Sequence, residues 1–484
     1  MSLSQVLAVA VLFFIVAGEK ADNPWRDKLA AALEAAREQQ SVLAYRSALE
    51  TAWRADDWRA GLELANAAIE KHPDAAELVG PAARALWRAG HLDDAGRLAS
   101  RLSAESRERV DLSVLTTISL ARGEIERALA TAERLAALDG LSAADLLHVL
   151  MARATANRFE GLGKLIRIAQ ERVDPANGYP EIHIADQIEG LADFFDAIGS
   201  APVNQLTAGG SAAMPVIPLV NLPGCDVMIN GRGPYRMIVD TGGSITLSID
   251  SAVAEELGLE TISTATIHGV AGKDQSGQSL IDELRVGGIT CRRVLARTFD
   301  VRKAVAFAAD GIIGTGIFAD GRMTLDFETG RLTVTPGSDK PGPGQEVPLW
   351  LIGDAKMITT LTLAGEPVAA LLDSGADVFA VSTSRLKMLF PDKSIRSLPV
   401  VGALGVGADQ APEISITPGI DFVFAGRKFE NFGGLGLDVL DTLLGPMLGV
   451  QSDLLVGMAI MRQFKTMTVD FKHCRMWVEW LDPH

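Results

Sequence analysis

From Asn23 to about Ser200 the apolar residues recur three and four positions apart, in a background of Ala, Leu, Arg and Glu. That spacing places them on one stripe of successive α-helices. Four stretches inside this region read alike: ADDWRAGLELA, AGHLDDAGRLA, RGEIERALATA and ANRFEGLGKLI. Each has a small or polar turn, one apolar residue, then an amphipathic helix start. The apolar markers Trp58, Leu92, Ile125 and Phe159 stand 34, 33 and 34 residues apart. The segment IGSAPVNQLTAGGSAAM, Ile198 to Met214, is rich in Gly, Ala and Ser and reads as a linker, assigned to 201–214. Beyond it, short Val/Ile/Leu runs broken by Gly, Pro, Asn and Asp predict an all-β region. PGSDKPGPGQ, Pro336 to Gln345, divides that region in two. The expected domains are a helical one at 23–200 and β lobes at 215–336 and 346–484, the lobes joined by 337–345. A chain of 484 residues is long enough for two or three cores.

A period of 34 is that of the tetratricopeptide repeat, a helix-turn-helix unit. IEKHPD, Ile69 to Asp74, closes the first unit with a proline where such a repeat places one. The helical region therefore resembles a tetratricopeptide-like array of about four units; a generic helical bundle is the alternative. One unit cannot bury its apolar face alone, whereas stacked units share a core and form a concave groove. The resemblance implies a docking surface for a protein partner or substrate.

The two β lobes repeat one another. NGRGPYRMIVDTGGS carries Asp240, and 74 residues on comes Gly314, ending the Ile-Ile-Gly of DGIIGTGIF; MTLDFETGRLTV follows. AGEPVAALLDSGAD carries Asp373, and 84 residues on comes Gly457, ending the Leu-Val-Gly of DLLVGMAIM; MTVDFKHCRMWV follows. HGVAGKDQSGQ, His268 to Gln278, lies between the first pair of landmarks, and VGALGVGADQ, Val401 to Gln410, between the second. A single Asp-Thr-Gly is a common turn at a strand end. Two copies in matching contexts carry much more information.

At these residues the sequence resembles the aspartic proteases of the pepsin and retroviral type. In that family each half or subunit supplies one Asp-Thr/Ser-Gly loop, wrapped by an apolar-apolar-Gly segment. The resemblance covers roughly Met214 to His484 and implies two retropepsin-like lobes fused in one chain. The expected architecture is thus an N-terminal all-α repeat array followed by an all-β bilobal acid-protease-like domain. The resemblance further implies a catalytic pair, Asp240 and Asp373, with Thr241, Gly242, Ser374 and Gly375 as supporting loop residues. Gly269 and Gly272, and Gly405 and Gly407, would lie in flaps that close over an extended peptide. Neither flap segment carries the tyrosine of pepsin-like flaps, so the likeness leaves substrate gripping and pepsin-like specificity open.

Peptide hydrolysis without a covalent intermediate needs a water deprotonated as it attacks and a proton donor for the carbonyl oxygen. Two neighbouring carboxylates supply both, because they resist ionising together and so hold one proton between them. The apolar MIV and ALL runs before the aspartates provide a dry floor that strengthens this coupling. Asp326 and Asp470, paired by the duplication but lacking a following Ser/Thr-Gly, are expected on a strand surface or beside a base. The leading expectation is an aspartic endopeptidase with repeats that recruit substrate or a partner. A non-catalytic peptide-binding or scaffold protein of the cell envelope is the alternative. A pure binder has no need of two like charges held together.

Composition narrows the partners. A formal net charge of −16 argues against a nucleic-acid binder and gives no support for docking on anionic lipid. Three scattered cysteines and seven histidines show no metal-ligand spacing, and no metal or other cofactor is expected. The thiols are expected buried or idle, with one bridge and a leftover thiol as the alternative. No GxSxG elbow or cysteine–histidine pairing points to another hydrolase class. The run VLAVAVLFFIVA, Val6 to Ala17, is too short to span a bilayer and fits a signal-peptide core, although no basic residue precedes it. Residues 1–22 are therefore expected to be a signal peptide or short membrane anchor, with the rest of the chain periplasmic or secreted. Membrane contact is expected only through that anchor.

Overall fold

The computed structural model describes residues 23–103, 105–188, 190–243, 246–269, 272–353, 355–391, 397–399 and 413–482. The expected leader, 1–22, lies outside them. Among the described residues no helix is long and apolar enough to cross a membrane. The chain forms two compact units, a helical one ending at Ser200 and a β-rich one beginning at Ala201.

The helical unit holds α1 (Arg26–Gln39), α2 (Val42–Arg54), α3 (Trp58–Lys71), α4 (Ala76–Arg88), α5 (Leu92–Ala99), α6 (Arg109–Ala121), α7 (Ile125–Ala136), α8 (Ala143–Thr155), α9 (Leu162–Arg172), α10 (Glu181–Gln187) and α11 (Leu191–Ile198). The periodicity has a backbone cause. In each of the pairs α2–α3, α4–α5, α6–α7 and α8–α9, a left-handed residue stands two places after the first helix ends: Asp56, Gly90, Gly123 and Asn157, at φ 55°, 82°, 71° and 53°. Gly, Asn and Asp adopt that conformation at least cost. Trp58, Leu92 and Ile125 follow two places later, and each opens the second helix of its pair. Phe159 keeps the same offset, yet its helix opens only at Leu162, after a left-handed Gly161. Side chains close the N-termini: Ser41 caps α2, Asp57 caps α3, and Ser142 with Asp145 forms a reciprocal capping box on α8. The first helices of the pairs, α2, α4, α6 and α8, pack on one another in succession.

Leu443–Gln451, read as part of the second lobe, belongs to the helical unit. Tyr179 Oη donates to the Pro446 carbonyl at 3.0 Å, and the Gln451 amide to that of Arg88 at 2.8 Å. These contacts are long-range in sequence, so no local pattern could announce them.

The β unit begins with β1 (Gln205–Ala208), β2 (Gly210–Ala213), β3 (Val216–Ile217), β4 (Leu222–Ile229), β5 (Arg232–Asp240), β6 (Leu247–Asp250), β7 (Ser263–Gly269), β8 (Gly272–Val286), β9 (Ile289–Phe299), β10 (Gly311–Gly314), β11 (Gly321–Asp326) and β12 (Arg331–Pro336). It continues with β13 (Gln345–Val347), β14 (Trp350–Ile352), β15 (Lys356–Leu363), β16 (Glu366–Asp373), β17 (Phe379–Ser382), β18 (Ser397–Pro399), β19 (Glu413–Ile416), β20 (Ile420–Phe424), β21 (Arg427–Phe432), β22 (Leu435–Leu437), β23 (Leu454–Gly457), β24 (Phe464–Asp470) and β25 (Arg475–Trp480).

Each lobe is built on one sheet, and the duplication appears in its centre. Strands run β6-β10-β5-β4 in the first lobe and β17-β23-β16-β15 in the second. A third sheet, β13-β25-β24-β11-β12-β2, is shared between the lobes. There β11 pairs with β24, so the two Asp-Phe strands of the duplication lie side by side. Apolar residues of all three sheets form one continuous core, with Met323, Leu325, Met467 and Val469 fully buried in it.

The expected linker at 201–214 is not one. β1 pairs with β9, and β2 pairs with β12 at the edge of the shared sheet. Its small residues permit close packing: a β-carbon on Gly210 would lie 2.6 Å from the Gly288 carbonyl carbon. The break at 337–344 does lack regular structure.

Candidate active site

Asp240 ends β5 and Asp373 ends β16, each at the close of a strand buried on both faces. Such strands lie at the centre of a sheet, with β10 parallel to β5 and β23 parallel to β16. In register, Gly314 lies opposite Asp240 and Gly457 opposite Asp373. The apolar-apolar-Gly segments are therefore direct neighbours of the Asp loops. At Gly457 a β-carbon would meet the carbonyl oxygens of Val378 and Ala376 at 2.3 and 2.4 Å. Its own amide donates to Val378 O at 2.9 Å, and that of Met458 to Ala376 O at 2.7 Å.

The two loops lock reciprocally. Ser374 Oγ donates to the Val239 carbonyl at 2.7 Å and accepts from the Thr241 amide at 3.0 Å. Thr241 Oγ1 donates to the Leu372 carbonyl at 3.0 Å and accepts from the Ser374 amide at 2.8 Å. Both hydroxyls are fully buried, so each bond satisfies a group that water cannot reach. Within each loop the glycine amide donates to its own aspartate, Gly242 to Asp240 Oδ1 and Gly375 to Asp373 Oδ1, both at 2.8 Å. Across the loops, a β-carbon on Gly242 would lie 2.6 Å from Asp373 Cγ.

Asp240 and Asp373 are both completely buried. Oδ2 of each has no hydrogen-bond partner among the described residues. Burial pushes Asp240 up to about 6, against the neighbouring Asp373 carboxyl, the Gly242 and Gly243 amides and the charge of Lys356. Burial also raises Asp373, well above the carboxylate range, and the negative charge of Asp240 raises it further. The pair therefore retains one proton where isolated carboxylates would have lost theirs, and the shift belongs to the pair rather than to either residue. One carboxylate that can accept a proton beside one carboxyl that can donate it is the equipment for general acid–base hydrolysis.

All six predicted loop residues, Asp240, Thr241, Gly242, Asp373, Ser374 and Gly375, thus come together. Of the predicted flap glycines, Gly269 and Gly272 pair with each other at the tip of the β7–β8 hairpin. Gly405 and Gly407 lie outside the described residues; β18 and β19, on either side of that stretch, pair antiparallel.

Of the two expected places, strand surface or beside a base, Asp470 takes the second. It is fully buried and receives hydrogen bonds from Arg322 Nε, the Ser338 amide and the His473 amide, with His473 Nδ1 at 2.8 Å. Burial opposes its charge, but these donors hold its carboxyl below the ordinary value. Asp326 is partly exposed and accepts from the Thr329 amide.

Two features escaped the sequence reading. Asp377, four residues after Asp373, accepts from Asn221 Nδ2 at 2.8 Å and from Arg462 Nη2 at 2.5 Å, which ties the first lobe to the second Asp loop. Lys356 is 5% exposed and its charge acts on both aspartates. Its one visible signal was a lysine opening the otherwise uncharged strand KMITTLTL, where the matching first-lobe strand LPGCDVMI opens with leucine. Cys225 and Cys291 are buried and Cys474 is partly so. Cys225, Cys291 and Cys474 form no disulfide among the described residues, Cys474 Sγ donates to the Leu349 carbonyl at 3.3 Å, and burial pushes the first two thiols up to about 12.

A family model described as "Aspartyl protease" matches residues 225–317, from within β4 past Asp240 to the turn after β10. This segment of the first lobe is similar to aspartyl proteases. Among curated proteins, no match to the chain was found.

Proposed function

We propose that the chain is an aspartic endopeptidase in which Asp240 and Asp373 activate water between the lobes. The observation that carries this reading is the reciprocal Thr241–Ser374 lock, which holds two fully buried carboxyls together at the ends of equivalent strands. The family match reaches only the first lobe. The second joins it through the same strand order and the same Asp–Gly register. In the peptide-bound form both Oδ2 atoms, buried and without a partner among the described residues, would meet a water and a scissile carbonyl, and the shared proton passes to that carbonyl oxygen as the water attacks. The β7–β8 hairpin acts as a flap that excludes water from the bound peptide. The helical pairs act as a tetratricopeptide-like surface that recruits substrate or a protein partner. The protease works outside the cytoplasm, delivered or tethered by residues 1–22.

The test is cleavage of a mixed peptide library by the full chain across about pH 3 to 7, where such a pair titrates, beside Asp240→Asn and Asp373→Asn. Cutting that disappears in both folded variants supports the protease. Peptide capture without cutting at any pH replaces it with the binding reading.

A further inference from the structure

We propose that Lys356 sets the pH range over which the Asp240–Asp373 pair works; this deepens, and rests on, the protease reading above. The duplication is broken at one telling place. In the second lobe β15 and β16 are antiparallel with Ile358 opposite Leu371. The same register, carried two residues on, sets Lys356 across from Asp373. In the first lobe β4 and β5 pair with Gly224 opposite Ile238. Carried two residues on, that register sets Leu222, completely buried, across from Asp240. Directly opposed residues of an antiparallel pair project from the same face. The two aspartates are therefore flanked unequally, by a hydrocarbon side chain on one lobe and an ammonium on the other.

A lysine is seldom buried this deeply without a compensating charge. Among the described residues, the titratable groups on the elements packed against Lys356 are these. From β16 comes Asp373, while Glu366 stands exposed at the far end of that strand; the first Asp loop brings Asp240. β14 carries no titratable residue, and the Asp421 of β20 is exposed beside the opposite end of β15. Asp354, two residues before Lys356, lies outside the described residues. The cation favours every deprotonation of the pair. Burial alone would keep both protons on the carboxyls to a higher pH; Lys356 lets the first leave earlier, so the singly protonated form exists in more acidic surroundings. The second deprotonation is also eased, which draws in the alkaline limit. Lys356 is in these terms a positioning charge that acts through the aspartates.

The experiment is the pH profile of kcat/KM for the full chain, Lys356→Met and Lys356→Arg. The expected result is a bell displaced to higher pH in Lys356→Met, with kcat/KM down roughly tenfold on the acid limb, and a profile close to the parent's in Lys356→Arg. A bell that stays in place in Lys356→Met, or moves as far in Lys356→Arg, overturns the proposal. Should Lys356→Met fail to fold by circular dichroism, Lys356→Gln carries the same comparison. If the parent cuts no peptide, the protease reading fails by itself. Carbon-13 titration of aspartate-labelled full chain, assigned against Asp240→Asn, then decides the role of Lys356: titration at higher pH in Lys356→Met supports it, and an unchanged titration refutes it.

Discussion

Gly375 and Asp240 approach so closely that a β-carbon on the glycine would lie 2.6 Å from the Asp240 carboxyl carbon. Gly242 stands in the same relation to Asp373. Each loop thus leaves room for the aspartate of the other, and the glycine after each Asp-Ser/Thr is a requirement of spacing. Gly375→Ala is expected to drive the carboxyls apart, cutting kcat/KM at least a hundredfold and costing about 1–3 kcal/mol of stability through overpacking. Peptide cleavage alongside urea unfolding checks this. Near-parental activity would show that the loops can separate without loss.

Ser374→Ala removes a hydroxyl that serves the Val239 carbonyl and the Thr241 amide together. Both would remain buried and unpaired, at a cost of roughly 2–4 kcal/mol. Because Thr241 braces the opposite loop by the mirror arrangement, the double variant with Thr241→Val should lose less than the two singles combined, by about 1 kcal/mol. Denaturant midpoints for the four proteins of the cycle give the coupling. Strict additivity would mean that the two hydroxyls act independently.

The aspartate pair makes the fold less stable as pH rises. Burial raises both carboxyls, Asp240 from an ordinary 3.8 to about 6. The folded chain therefore binds protons more tightly than the unfolded chain. Its stability advantage is full below the ordinary value and is lost through the raised ones. Asp373→Asn keeps an oxygen for the Gly375 amide but removes one ionisation. It should exceed the parent in stability near pH 7, by on the order of 1–3 kcal/mol, and match it near pH 3.5. Thermal unfolding of both proteins across that range is the measurement, and a gap that grows toward acid would contradict the assignment.

Arg322 pairs with the fully buried Asp470 at 3.0 Å. Removing one partner of a buried pair strands the other charge, so Arg322→Met should cost about 3–5 kcal/mol at neutral pH. Asp470 is held below its ordinary value and contributes stability above it. The deficit of the variant should therefore shrink as pH falls and the stranded carboxylate protonates. A pH-independent deficit would trace the loss to packing against Trp477, over whose ring the Arg322 guanidinium lies at 5.1 Å.

Gly210→Val tests whether the segment before the first lobe is part of the sheet. In a free linker the change would be silent. Against the Gly288 backbone, at 2.6 Å, it should cost about 1–3 kcal/mol. The melting temperature of the full chain distinguishes these outcomes.

Local pattern carried much of this protein. The 34-residue period was legible because it follows from a turn residue, Asp56, Gly90, Gly123 or Asn157, and the apolar residue two places on. The Asp loops were legible because the duplication wrote the same short motif twice, each after a buried run. Tertiary structure alone decided what depends on partners distant in the chain. GGSAA looks like a linker until β2 pairs with β12, 331–336, and Leu443–Gln451 looks like part of a lobe until it packs with the helices. Asp470 is buried rather than exposed because Arg322, 148 residues away, supplies the opposite charge. The composition of a short segment reports its own conformational preference, whereas burial and ionisation are set by whatever the rest of the chain brings against it.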